Sequence, residues 1–162
     1  MTLRPAPRRP QIAVAGASVC SPRTAALARA VGRALAAAGA VLVCGGLGGV
    51  MEAAARGAAE GGGTVIGILP GYDHRAANRH LTVALPTGLG HARNVLVAAA
   101  GDALIALPGG HGTLSEVALA QVLGRPVVAL GRRRERAGVV AARTPAEAVR
   151  RALALARRRH SR

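Results

Sequence analysis

Six short apolar runs constrain this chain more than any other feature: Ile12–Ala15, Val41–Cys44, Thr64–Leu69, Leu81–Leu85, Ala103–Leu107 and Pro126–Leu130. They are continuous rather than alternating, and a strand that is apolar on both faces belongs in a parallel sheet covered by helices. Segments of helical period separate the runs. Ser21-Pro22 supplies a cap and a proline at the first helical position, ahead of Leu27, Val31, Leu35 and Ala38. Val50, Ala53, Ala54 and Gly57 form a second stripe, Ala92–Ala100 a third helix, and Leu114, Val117, Ala118 and Val122 a fourth. Thr144-Pro145-Ala146-Glu147 reads as a capping box for a last helix carrying Val149, Leu153 and Ala156 and ending in Arg157–Arg159. The order predicts an α/β, Rossmann-like, doubly wound and mainly parallel sheet with helices on both faces. Residues 11–160 read as one domain, after a flexible basic arm over 1–10 and with a basic loop at 131–138.

A chain of 162 residues can enclose a core of its own. Phe and Trp are absent and Tyr72 is the only aromatic residue, so that core is made of Val, Leu, Ile and Ala. The net charge of +15 suggests a nucleic-acid partner until its distribution is considered. All 22 basic residues are Arg; three lie in residues 1–9, and eleven lie with two acids in residues 132–162. Between 10 and 131, eight Arg face five acids. The charge sits in the tails, and the aromatic platforms that single-stranded nucleic acid stacks on are missing. Composition therefore argues against dedicated nucleic-acid binding and for a basic surface that attracts anionic metabolites or holds a partner's acidic face.

Cys20 and Cys44 form neither a disulfide framework nor a metal-ligand spacing, and His91 and His111 complete no metal set, so no metal is expected. The first ten residues hold no apolar core of a secretory signal, and no run has the length of a membrane span. A cytoplasmic protein without membrane contact is expected.

In open α/β sheets ligands bind beyond the carboxyl ends of the strands, where strand order reverses. Most of the glycine-rich turns fall at that edge: Gly16-Ala17-Ser18, Gly45-Gly46-Leu47-Gly48-Gly49, Pro86–Gly90 and Pro108-Gly109-Gly110-His111-Gly112-Thr113. In the last of these, glycines let the backbone turn sharply into a helix expected to begin near Thr113. Its free N–H groups and dipole suit an anion. Gly16, Ser18, Gly45, Gly46, Gly109, Gly110, Gly112 and Thr113 are the candidate ligand- and phosphate-binding residues. Glu116 has two readings: a catalytic carboxylate, or the far end of a capping box Thr113-Leu114-Ser115-Glu116. Gly45–Gly49 lacks the Lys of a P-loop and the dinucleotide spacing, and helix packing explains it as well as ligand contact does. Arg93 reads as a phosphate- or carboxylate-pairing group or as one more solvated Arg.

These segments in order, Val43–Gly46, Gly49-Val50-Met51, Gly61–Pro70, His91-Ala92-Arg93-Asn94 and Pro108–Glu116, resemble the LOG (LONELY GUY) family over about residues 11–130. Its type members are cytokinin riboside 5′-monophosphate phosphoribohydrolases. The resemblance implies a Rossmann-like fold and a homodimer or homotetramer with the pocket near the subunit interface. It implies that Glu116 and Arg93 act in cleaving an N-glycosidic bond, with the phosphate on the Gly110–Thr113 amides and Gly45-Gly46 lining the pocket. Asn94 stands where the hydrolases have Lys. In this the chain is similar to a branch containing the molybdenum cofactor carrier proteins, which implies a non-catalytic alternative, a molybdenum cofactor carrier or a protein that binds nucleotide-derived signals. No cofactor is required on either reading; a nucleotide or the molybdenum cofactor enters as ligand. Relatives have also been called lysine decarboxylases, but a chain without Lys cannot form the Schiff base of pyridoxal phosphate chemistry.

Overall fold

In the computed structural model the described residues are 8–131 and 137–160, and each expected apolar run contributes a parallel strand. The strands are β1 (Gln11–Ala15), β2 (Val41–Cys44), β3 (Thr64–Leu69), β4 (Val83–Pro86), β5 (Ala103–Ala106), β6 (Val127–Leu130) and β7 (Val139–Ala142). They form one sheet in the order β4-β3-β2-β1-β5-β6-β7. Five helices connect or follow them: α1 (Pro22–Ala37), α2 (Val50–Glu60), α3 (Asn94–Ala100), α4 (His111–Val122) and α5 (Pro145–His160).

Alternation along the strands divides the core in two. Ile12, Val14, Leu42, Cys44, Ile105 and Leu107 meet α1, α2 and α5 on one face. Ala13, Ala15, Val43, Leu104 and Ala106 meet α3 and α4 on the other. Without large aromatics the layers close by bringing backbones together. A Cβ on Gly32 would lie 2.0 Å from the Ala54 carbonyl oxygen, and one on Gly57 would lie 1.9 Å from that of Arg29.

The expected caps form. Ser21 Oγ accepts from the Thr24 N–H, and Thr144 Oγ1 accepts from the Glu147 N–H while Glu147 accepts from the Arg143 N–H. The main differences from expectation are three element starts and one added strand. The fourth strand starts at Val83 rather than Leu81, because Leu81 turns inward over Gly46 and Gly67. The third helix begins as a 3-10 turn over Gly90–Arg93. The fourth starts at His111, two residues before Thr113. Strand β7, half-buried at the sheet edge, lies beyond the last expected run. Of the expected arm, residues 1–7 lie outside the described residues. Residues 8–10 are held: Arg8 pairs with Asp102, Arg9 donates to the Gly39 carbonyl and Thr64 Oγ1, and the Pro10 carbonyl accepts from Val41 N–H. Most of the expected 131–138 loop, residues 132–136, also lies outside the described residues.

Strand order reverses between β1 and β5. The loops leaving these two strands therefore diverge and leave a crevice at the carboxyl edge of the sheet.

Candidate functional site

A cavity of about 400 Å³ fills that crevice. Gly16 and Ser18 line it from the β1 loop, Arg93 and Asn94 from the start of α3, and Gly110, Gly112, Thr113 and Glu116 from the β5–α4 turn. The two loops are joined where Ala17 N–H donates to the Pro108 carbonyl at 3.1 Å. The volume lies within the range of small-molecule sites.

Gly110 caps α4 without a side-chain hydrogen bond, and the first intrahelical N–H to return to it is that of Leu114. The N–H groups of His111, Gly112 and Thr113 thus form the unpaired first turn of a helix, with its positive dipole end in the crevice. A Cβ on Gly110 or Gly112 would meet open space, and neither residue has positive φ. Protein packing does not require glycine at these positions. Gly109 differs: its Cβ would lie 2.0 Å from Thr113 Oγ1, so the buried threonine hydroxyl sits where a side chain would be.

Three expected residues do not line the cavity. Gly45 lies behind Arg93, where a Cβ would be 2.5 Å from Nη2, and Gly46 lies under Leu69. Gly109 supports Thr113 from below. These three shape the site without facing it.

The capping-box reading of Glu116 fails, because α4 starts at His111 and Glu116 sits in its second turn. Glu116 is only 6% exposed, and no hydrogen bond to its carboxylate is found among the described residues. Burial raises its pKa to about 7, with the nearby Arg93 charge pulling the other way. Arg93 is buried too; burial lowers its pKa, while Glu116 and then Cys44 favour its charge. Its Nη2 donates to the Gly45 carbonyl at 3.3 Å, its Nη1 donates to Asn94 Oδ1, and its Nε is buried without a partner. Beneath the pair, burial pushes the Cys44 thiol up to about 11. The arrangement offers a helix-end anion cradle, a carboxyl poised near neutrality and a guanidinium beside it.

Residues that sequence reasoning left unassigned complete the wall. Met51, His91 and His111 line the cavity, and Ser115 lies behind it, bonded to Asn94. Met51, His91, His111 and Ser115 all lie within the recognised motifs, but their residue types there gave no signal of their own. A groove of about 610 Å³ between α1 and α2 adjoins the crevice at Ser18 and Val19. Its Arg29 and Arg56 are engaged with Glu60, while Glu52 and His80 also line it.

Fold and site together define a Rossmann-like α/β protein of LOG type, with a crevice at the switch point of the sheet. The chain belongs to the SLOG cluster4 family, whose model matches residues 9–156. It is 44% identical to a protein of Archaeoglobus fulgidus over 86% of this chain and 91% of that one. The molybdenum cofactor carrier protein of Chlamydomonas reinhardtii superposes with a TM-score of 0.85 at 34% identity, covering 91% of this chain and 98% of the carrier. A cytokinin riboside 5′-monophosphate phosphoribohydrolase of Rhodococcoides fascians is 43% identical over 56% of this chain and 48% of its own length. Among the described residues, no helix is long and apolar enough to cross a membrane.

Proposed function

We propose that the crevice binds a nucleoside 5′-monophosphate and hydrolyses its N-glycosidic bond, giving ribose 5-phosphate and the free base. The observation that carries this is the buried Glu116 carboxyl, for which no hydrogen bond is found among the described residues and which shares a cavity wall with the open His111–Thr113 amides. The phosphate lies on those amides and on the dipole of α4. Water adds at the anomeric carbon as the bond to the base breaks, and the bonding pair leaves with the base nitrogen, which takes up a proton. Glu116 accepts the proton of the attacking water, and a pKa near 7 suits a general base at neutral pH. Arg93 opposes the negative charge gathered at the site.

Incubation with a panel of purine and pyrimidine monophosphates, read as free base by chromatography, tests the reaction. Release is expected, with Glu116→Gln slower by about 10²-fold or more. No release with any member at high protein concentration refutes it.

Likeness to the carrier along nearly its whole length favours a second reading, a non-catalytic holder of a phosphorylated pterin such as the molybdenum cofactor. On that reading Glu116→Gln retains the ligand and no monophosphate is cleaved. On either reading we infer a homodimer or homotetramer. Val95 and Leu96 on α3, Leu114 and Val122 on α4, and Leu123 at the end of α4 leave apolar surface that suits a second copy. Light scattering showing a monomer at micromolar concentration contradicts this.

A further inference from the structure

Asn94 is buried beside the crevice, and its hydrogen bonds form a chain. Ser115 Oγ donates to the Gly112 carbonyl at 2.7 Å. With its proton committed there, that oxygen accepts from Asn94 Nδ2 at 2.9 Å. The amide orientation is thereby fixed, and Oδ1 is turned to accept from Arg93 Nη1. Gly112 belongs to the open first turn of α4, so the chain runs from the anion cradle to the guanidinium.

The chemistry at position 94 is narrow. The side chain must accept from a guanidinium, which only donates, and must donate to a hydroxyl whose proton is already used. An amide does both. A Lys would face Arg93 with a second donor and charge, and an Asp could accept from Arg93 but not donate to Ser115. Arg93 and Glu116 line one cavity and feel each other's charge, yet no ion pair joins them. Every guanidinium contact found is to Asn94 or to the Gly45 carbonyl.

We propose that Asn94 is a positioning residue that, anchored through Ser115 to the Gly112 carbonyl, holds the Arg93 guanidinium off Glu116 and keeps that carboxyl unpaired. This rests on Glu116 being the working carboxyl of the proposed site. The groups that bear on Glu116 are Arg93 and Cys44, and His91 and His111 line the same cavity.

The test is the titration of the Glu116 side-chain carboxyl by carbon-13 NMR in the full chain without ligand. It is therefore independent of whether any nucleotide is cleaved. In Asn94→Ala, Arg93 is released to pair with Glu116, and the midpoint is expected to fall by about one pH unit, a tenfold change in acid dissociation. Ser115→Ala loosens the anchor and is expected to move the midpoint the same way by less. An unchanged or raised midpoint in Asn94→Ala overturns the proposal. If that variant does not fold, an unchanged or raised midpoint in Ser115→Ala overturns it instead. A fall in midpoint alongside a failed hydrolysis assay keeps the positioning role and removes only the reaction.

Discussion

The two glycine-rich strand-to-helix turns, Gly45–Gly49 after β2 and Pro108–Thr113 after β5, look alike in sequence and differ in what surrounds them. In the first, a Cβ on Gly45 meets Arg93 and Met51, one on Gly46 meets Leu69, and one on Gly49 lies 2.2 Å from the Ala17 carbonyl oxygen. Gly46 and Gly49 also have φ of 75° and 62°. Gly46 and Gly49 are required by the protein's own backbone, while Gly45 makes room for the ends of Arg93 and Met51. In the second turn Gly110 and Gly112 face open space, and neither has positive φ. Glycine there keeps the approach to the helix amides clear, which is the requirement of a ligand. On the proposed reading, one glycine-rich pattern serves packing in one place and, at Gly110 and Gly112, binding in the other.

The largest effect that tests this contrast falls on the packed turn. Gly49→Ala forces a side chain into a left-handed conformation against backbone, and we expect it to cost about 3 kcal/mol or more. Chemical denaturation measures it, and a near-neutral result would mean that the turn is not tightly packed.

Next is the carboxyl that the open turn leaves buried. The folded-state pKa of Glu116, about 7, lies above its ordinary value of 4.5, so the native state binds the proton more tightly. Its stabilising contribution is complete below pH 4.5 and is lost as pH rises toward 7, by about 3 kcal/mol at most. Glu116→Gln should therefore match wild type in thermal stability near pH 4.5 and exceed it at pH 8. A gap that does not change with pH argues against a buried, unpaired carboxylate.

The smallest stability effect is expected at Gly112. Gly112→Ala places a methyl in open space on a helix, where Ala exceeds Gly by up to about 1 kcal/mol. Stability should be unchanged or slightly raised, while affinity for a nucleoside monophosphate, read by calorimetry, should fall tenfold or more. Loss of stability would show that this turn is packed like the other.

The sheet was legible because its strands are apolar on both faces, a pattern that survives a composition of little but Ala, Val, Leu and Ile. Strand β7 was not: Val139-Val140-Ala141-Ala142 is brief, follows an Arg-rich stretch and lies half-buried at an edge. The start of α4 was misplaced by two residues because a glycine caps it, and a glycine carries no side-chain signal. That shift removes the capping-box reading of Glu116, which spacing alone left open, and leaves its catalytic role as the proposal. Glu116 and Arg93 were named from motifs, but the bond between Asn94 and Ser115 joins residues 21 apart. Only the folded crevice brings them together.

The most direct measurement follows the backbone amides of both turns by NMR as nucleoside 5′-monophosphates, and inorganic phosphate as the minimal probe, are added. The account predicts saturable shifts at His111, Gly112 and Thr113, with the Gly45–Gly49 amides unmoved. Shifts confined to Gly45–Gly49, or no shift at His111–Thr113 with any of these ligands, would contradict it.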